Sequence, residues 1–164
     1  MDPNKSMTLY EFVLSLHSFV RWAVVFFGVL VLLQGLIGTT AGGQVGTLGK
    51  RLSLAFMISF DLQVLIGLAL HLFLSPITKQ GMQDMSASMK DPVARYWVVE
   101  HGLTMILALV VVHIGRALAW RAKSERSAHF RRMVTTAIAL GLILIRAPWP
   151  FSPDVQRPWI RMPF

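Results

Sequence analysis

The chain contains no cysteine. Disulfides, thiolate metal sites, iron–sulfur clusters and covalently attached c-type haem are therefore excluded, and histidine is the only strong soft ligand left. Acid is scarce as well: eight Asp and Glu stand against 16 Lys and Arg, a formal net charge of +8. A basic surplus can serve nucleic acid, but no basic stripe with interleaved aromatics lies outside the apolar stretches, so nucleic acid is not an expected partner. No nucleophile–base pair and no phosphate-cradling glycine loop is legible, which argues against an enzyme acting on a soluble substrate. The opening residues MDPNKSMTLYEF lack a basic region followed by a short apolar core and a small-residue cleavage site, so no removable signal peptide is expected.

What the chain has in quantity is apolar sequence. Of its 164 residues 54% are hydrophobic, with a mean hydropathy of +0.57, and they fall in four long blocks. Each block is long enough to cross a bilayer at about 1.5 Å per residue. The expected fold is thus all-α, an integral membrane four-helix up-down bundle with helices over roughly 9–38, 50–74, 92–121 and 130–147. Thr8 and Glu11 have capping-box spacing and start the first helix, and TTAGGQVGTLG ends it. Ser75-Pro76 closes the second, and Asp91-Pro92 opens the third with a capping side chain followed by proline at the first helical position. The Met-, Ser- and Gln-rich linker 76–91 has no periodicity and is expected to depend on a neighbour for order. APWPFSP stops the fourth helix, and the Pro/Trp-rich stretch 148–164 reads as an extended tail held by the bundle's rim or by another subunit.

The basic residues suggest which way the bundle faces. Lys50 and Arg51 sit between the first two blocks, and Arg116, Arg121, Lys123, Arg126, Arg131 and Arg132 between the last two. The positive-inside tendency puts both loops in the cytoplasm, and both termini with the middle loop outside. Trp97 and Trp149 then suit the outer aromatic belt and Trp120 the inner one.

Ionisable side chains inside the spans mark candidate sites, because a charge at mid-membrane costs about 2.5 kcal/mol or more. His17 lies nine positions after Thr8, and His101 nine after Pro92. Both helices run inward from the same face, so the two histidines share a depth of roughly 13 Å, with His71 about 6 to 8 Å shallower. Two imidazoles at one level on different helices match what bis-histidine ligation of a b-type haem requires. His17 with His101 is the first choice of ligands, and His71 with either is the second. Gly67 and Gly102 would leave room for a flat macrocycle, and Arg21, Arg95 or Arg146 would pair with its propionates. The plainer alternative is that each histidine only hydrogen-bonds a neighbouring helix, and that Glu100 pairs with Arg21 or Arg146. Asp61 and His113 form a second polar pair nearer the cytoplasm, fit for a proton relay or, with more ligands, a metal. His113 is turned about 120° away from His101 on the same helix. His129 reads as a solvated or headgroup residue.

LHSFVRW in the first helix, LQVLIGL in the second, MKDPVARYWVVEH leading into the third, HIGR at its end and PWPF after the fourth resemble a group of short bacterial four-helix membrane proteins labelled cytochrome b-like. The resemblance covers nearly the whole chain. It implies a multi-pass protein of the bacterial inner membrane that binds haem b, with His17 and His101 as the residues implicated. The chain departs from the pattern at Asp61, where some relatives are expected to carry a histidine, and at His71, where an apolar or aromatic residue is expected.

The functional expectation is an electron-transfer subunit rather than a stand-alone enzyme, working with a larger membrane complex or a quinone. The tail and the basic loop would be its docking surfaces. The alternatives are a haem-free accessory subunit, a variant in which one histidine ligates a chlorophyll-type pigment, and a small transporter using Asp61, Gln63 and His113.

Overall fold

A computed structural model describes residues 7–152 and 155–161. Part of the expected tail lies outside that range. Helix α1 spans Leu9–Thr40 and α2 Gly46–Ala69, the latter continuing through a π-helical turn, Leu70–Leu74. Two short helices, α3 (Pro76–Gln83) and α4 (Met85–Lys90), fill the linker. The third long rod is built from α5 (Pro92–Arg95), a second π-helical turn at Tyr96–Glu100, and α6 (His101–Trp120). Helix α7 spans Glu125–Arg146. The four long rods are long and apolar enough to cross a membrane, and the chain is a multi-pass membrane protein with an all-α bundle fold.

Local signals account for the boundaries. The capping box is formed: the Glu11 N–H donates to Thr8 Oγ1 at 3.2 Å, and the Thr8 N–H donates to Glu11 Oε2 at 2.9 Å. Past Thr40 the chain turns through Gly42 and Gly43 at φ of 77° and 114°, where a Cβ would be strained. The Asp91 side chain caps α5 by accepting from the Ala94 N–H at 2.6 Å, with Pro92 at the first position. The linker expected to lack order of its own is instead helical, because Ser75 and Asp84 each supply a cap, to Thr78 and Ala87. Helix α7 begins five residues before the expected start. Ser124 caps it by accepting from the Ser127 N–H at 3.2 Å, so the basic loop shrinks to a few residues and most of its arginines are helical.

The rods form a ring in which α1 lies between α2 and α7, and α6 between α7 and α2, with the α2–α6 seam the sparsest. Inside sit Val24, Val31, Phe56, Phe60, Ala108 and Ala139. Outside, Leu33, Ile58, Leu103, Val110 and Ile145 are exposed, as suits a surface solvated by lipid tails. Lipid gives no hydrophobic drive to bring helices together, so close backbone approach must do so. Gly28 and Gly35 of α1 provide it against α7. A Cβ on them would come within 2.8 Å of Leu140 and 2.9 Å of Met133. Gly38 does the same for the ring of His129.

Candidate functional site

At the end of the bundle that carries the termini, the rods enclose a cavity of about 380 Å³. Val24, Phe60, Val64, Met105 and Ile143 give it apolar walls, and His17, His71 and His101 all line it. Both π-helical turns border it: one contains His71, and the other ends immediately before His101. A π turn inserts extra backbone and re-aims the side chains around it, a distortion frequent at functional sites.

His101 is held firmly. Its Nδ1 lies 3.0 Å from the Arg146 carbonyl oxygen, which also accepts from the Tyr96 hydroxyl at 2.6 Å. A carbonyl cannot donate, so Nδ1 carries the proton and Nε2 keeps its lone pair. The Tyr96 ring stacks on the imidazole at 5.6 Å, with Trp97 edge-on at 5.9 Å. An imidazole oriented through its far N–H in this way is the arrangement typical of histidines that ligate a metal.

His17 packs against α2. A Cβ on Gly67 would lie 3.1 Å from its Cε1, so that glycine makes room for the imidazole. The amide nitrogen of Gln63 is 3.2 Å from His17 Nε2, while His17 Nδ1 and Gln63 Oε1 are inaccessible and have no partner among the described residues. Turning the amide over would exchange donor and acceptor at Nε2 and still leave Nδ1 alone. A buried nitrogen without a partner is rare enough to require a reason. His71 lies over Gly102, whose Cβ position would be 3.9 Å from its ring. Its carbonyl accepts from Thr78 Oγ1 at 2.7 Å, which ties α3 to the π turn.

The tail lies back across the rim of its own bundle. The Trp159 carbonyl accepts from Arg21 Nη2 at 2.6 Å and from Trp22 Nε1 at 2.9 Å, and the Arg161 N–H donates to Ser18 Oγ at 3.1 Å. Trp22, Trp149, Phe151 and Trp159 form one aromatic cluster, with the Arg21 guanidinium 5.4 Å from the Trp149 ring. Arg157, 5.0 Å from the Trp97 ring, and Arg161 line the cavity beside Arg21. Sequence reasoning missed these two arginines as site residues. They stood visible in QRPWIR, but only the return of the tail puts them at the cavity.

Of the other charges, Glu100 pairs with Arg95 at 2.8 Å and with Arg146 at 3.1 Å, not with Arg21. Arg95 and Arg146 are thereby engaged, whereas among the described residues Arg21 has no ion-pair partner and its Nε has no hydrogen-bond partner. Asp61 and His113 meet as the shared depth implied, with Oδ1 2.8 Å from Nε2, half-exposed on the α2–α6 seam. Among the described residues no three His, Cys, Asp or Glu converge on a point that would hold a metal ion, so neither this pair nor the three cavity histidines form a free-standing metal site. His129 is a correction: rather than solvated, it is 2% exposed, seated on Gly38. The missing Cβ at Gly38 admits the ring into the α1–α7 interface, a relation between distant residues that no local pattern announces. Comparison with protein-family models, curated proteins and solved structures found no match for the chain.

Proposed function

We propose that the protein is a b-type cytochrome subunit, carrying electrons through one haem held between His17 and His101. The observation that carries this reading is a pair of imidazoles on opposite helices facing one apolar cavity, one anchored through its far nitrogen and the other left with an orphan nitrogen. The donor set suits haem b, which needs only two protein ligands because the porphyrin supplies four. A volume of about 380 Å³ falls in the range of roughly 300–1,000 Å³ usual for cofactor sites, and Arg21, Arg157 and Arg161 at the rim suit propionates. The resemblance to cytochrome b-like membrane proteins supports the same assignment.

Bound haem supplies a one-electron carrier at its iron. The chain's own residues set the conditions. The Arg146 carbonyl and Tyr96 fix the His101 ring, raising its basicity as a ligand. Gln63 and Gly67 fix His17. The tail lies across the cavity and limits water, and low polarity together with the nearby arginines tunes the potential. Electrons would pass to or from a quinone or a partner subunit, docked at the basic end or on the outer face of the tail, where Phe151 and Ile160 are exposed. The gathering of Lys and Arg at the loop end supports an orientation in the bacterial inner membrane with both termini periplasmic.

One observation favours a second reading. His17 Nε2 already has Gln63 as a partner, so His101 alone offers a plainly free lone pair, and a chlorophyll-type pigment needs a single axial ligand. A reduced-minus-oxidised absorption spectrum with a pyridine haemochrome assay separates the two. A b-type spectrum with one haem per chain is expected. Pigment bands without a haemochrome would select the second reading, and no chromophore in a folded native preparation would reject both.

A further inference from the structure

The α2–α6 seam opens again at the loop end, into a cavity of about 990 Å³. Five cations line it: Lys50 and Arg51 from α2, Arg116 from α6, Lys123 from the α6–α7 turn and Arg132 from α7. The carboxylate beside them, Glu125, is engaged in structure, its Oε2 accepting the Val45 N–H at 3.0 Å. None of the five cations has an ion-pair partner among the described residues. Arg132 is the telling one: its Nε and Nη1 are inaccessible and unpartnered, and of the charges near it Arg116 repels it while Glu125 attracts it. Two guanidinium groups gathered beside a single carboxylate that is already engaged, one of them with desolvated donors, form an unfavourable arrangement that a bound anion relieves.

The geometry points to a binding site for the phosphate ester of an anionic membrane lipid, with the phosphate between Arg116 and Arg132. Guanidinium forks match phosphate oxygens in pairs, and basic pockets between membrane helices are characteristic headgroup sites. A free phosphate shares that headgroup chemistry. The surroundings favour the lipid: the cavity opens on a lipid-facing seam beside the exposed Leu54, and Trp120, 88% exposed, stands at its rim where an interfacial aromatic belongs. Lys50 and Lys123, both exposed, provide a second ring of charge around the mouth.

The test uses the full-length protein in detergent, stripped of lipid and titrated in mixed micelles with dioleoyl phosphatidylglycerol, dioleoyl phosphatidylcholine or inorganic phosphate. Phosphatidylglycerol should raise the melting temperature saturably, by several degrees, with phosphatidylcholine inert at the same mole fraction. Arg116→Gln with Arg132→Gln should abolish that shift while melting like the parent protein in phosphatidylcholine. Should the double variant fail to fold, Lys50→Gln with Lys123→Gln should weaken phosphatidylglycerol binding several-fold, and unchanged binding there overturns the proposal. Equal stabilisation by the two lipids also overturns it. Millimolar inorganic phosphate reproducing the whole shift, with phosphatidylglycerol adding nothing, rejects the lipid as the source.

Discussion

The two cavities share one seam, and both hold arginines, but they differ in what dominates their walls. At the termini end, three histidines line apolar walls in about 380 Å³, and the ring that matters most is anchored to a backbone carbonyl. At the loop end, five cations line about 990 Å³ with no ion-pair partner among the described residues. Anchored neutral imidazoles call for something that accepts a lone pair, and unpaired guanidinium groups call for something that brings negative charge. Asp61 and His113, the latter at the edge of the loop-end cavity, pair with each other. The presence of a histidine alone therefore does not separate His101 from His113; the partner each ring already has does.

The largest effect should come from crowding the histidine cavity. Gly67→Leu pushes on the His17 ring, which already lies 3.1 Å from the Cβ position. Haem content per chain should fall at least tenfold, while phosphatidylglycerol binding at the other end stays as it was. Loss of both together would mean that the cavities are not independent.

Gly38→Ala tests the frame they share. Its Cβ meets the His129 ring, and overpacking of this kind costs about 1–3 kcal/mol. Melting in detergent should drop, with the haem-to-chain ratio of the folded protein unchanged. A smaller effect is expected from Trp159→Ala, which thins the aromatic cluster over the rim but leaves the carbonyl that Arg21 and Trp22 bind. Transfer of haem to apomyoglobin should become several-fold faster, with the absorption maxima unmoved. The smallest effect belongs to Asp61→Asn. Interhelical hydrogen bonds in membranes are worth about 0.6 kcal/mol on average, so a slight loss of stability and an unaltered spectrum are expected. A change in the spectrum would tie the pair to the cofactor after all.

Much of the frame was legible because it is written locally. Hydropathy marked the four rods, Thr8 with Glu11 marked the start of α1, and Asp91-Pro92 marked the start of α5. The meeting of Asp61 with His113 followed from counting residues back from the helix ends. What escaped depends on relations that no short window contains. The π turns at Leu70–Leu74 and Tyr96–Glu100 use ordinary helix-compatible residues, so their change of backbone leaves no compositional mark. Ser124 starts α7 well ahead of its apolar run, which made the loop look longer than it is. The tail is expected at the bundle's rim or on another subunit, but its particular contacts, with Ser18 and Arg21 more than 130 residues away, and the resulting placement of Arg157 and Arg161 at the cavity, lie beyond any short window. Gly67 and Gly102 were read as space for a macrocycle. Both line the cavity, Gly67 with the His17 ring against it and Gly102 in ordinary contact with His71.

The central claim, that His17 and His101 hold the haem and His71 does not, is tested most directly by haem content in three variants prepared side by side. His101→Ala should retain essentially no haem, His17→Ala should retain little and with an altered spectrum, and His71→Ala should keep one haem per chain with unchanged bands. Full haem retention in His101→Ala, or loss confined to His71→Ala, would contradict the assignment.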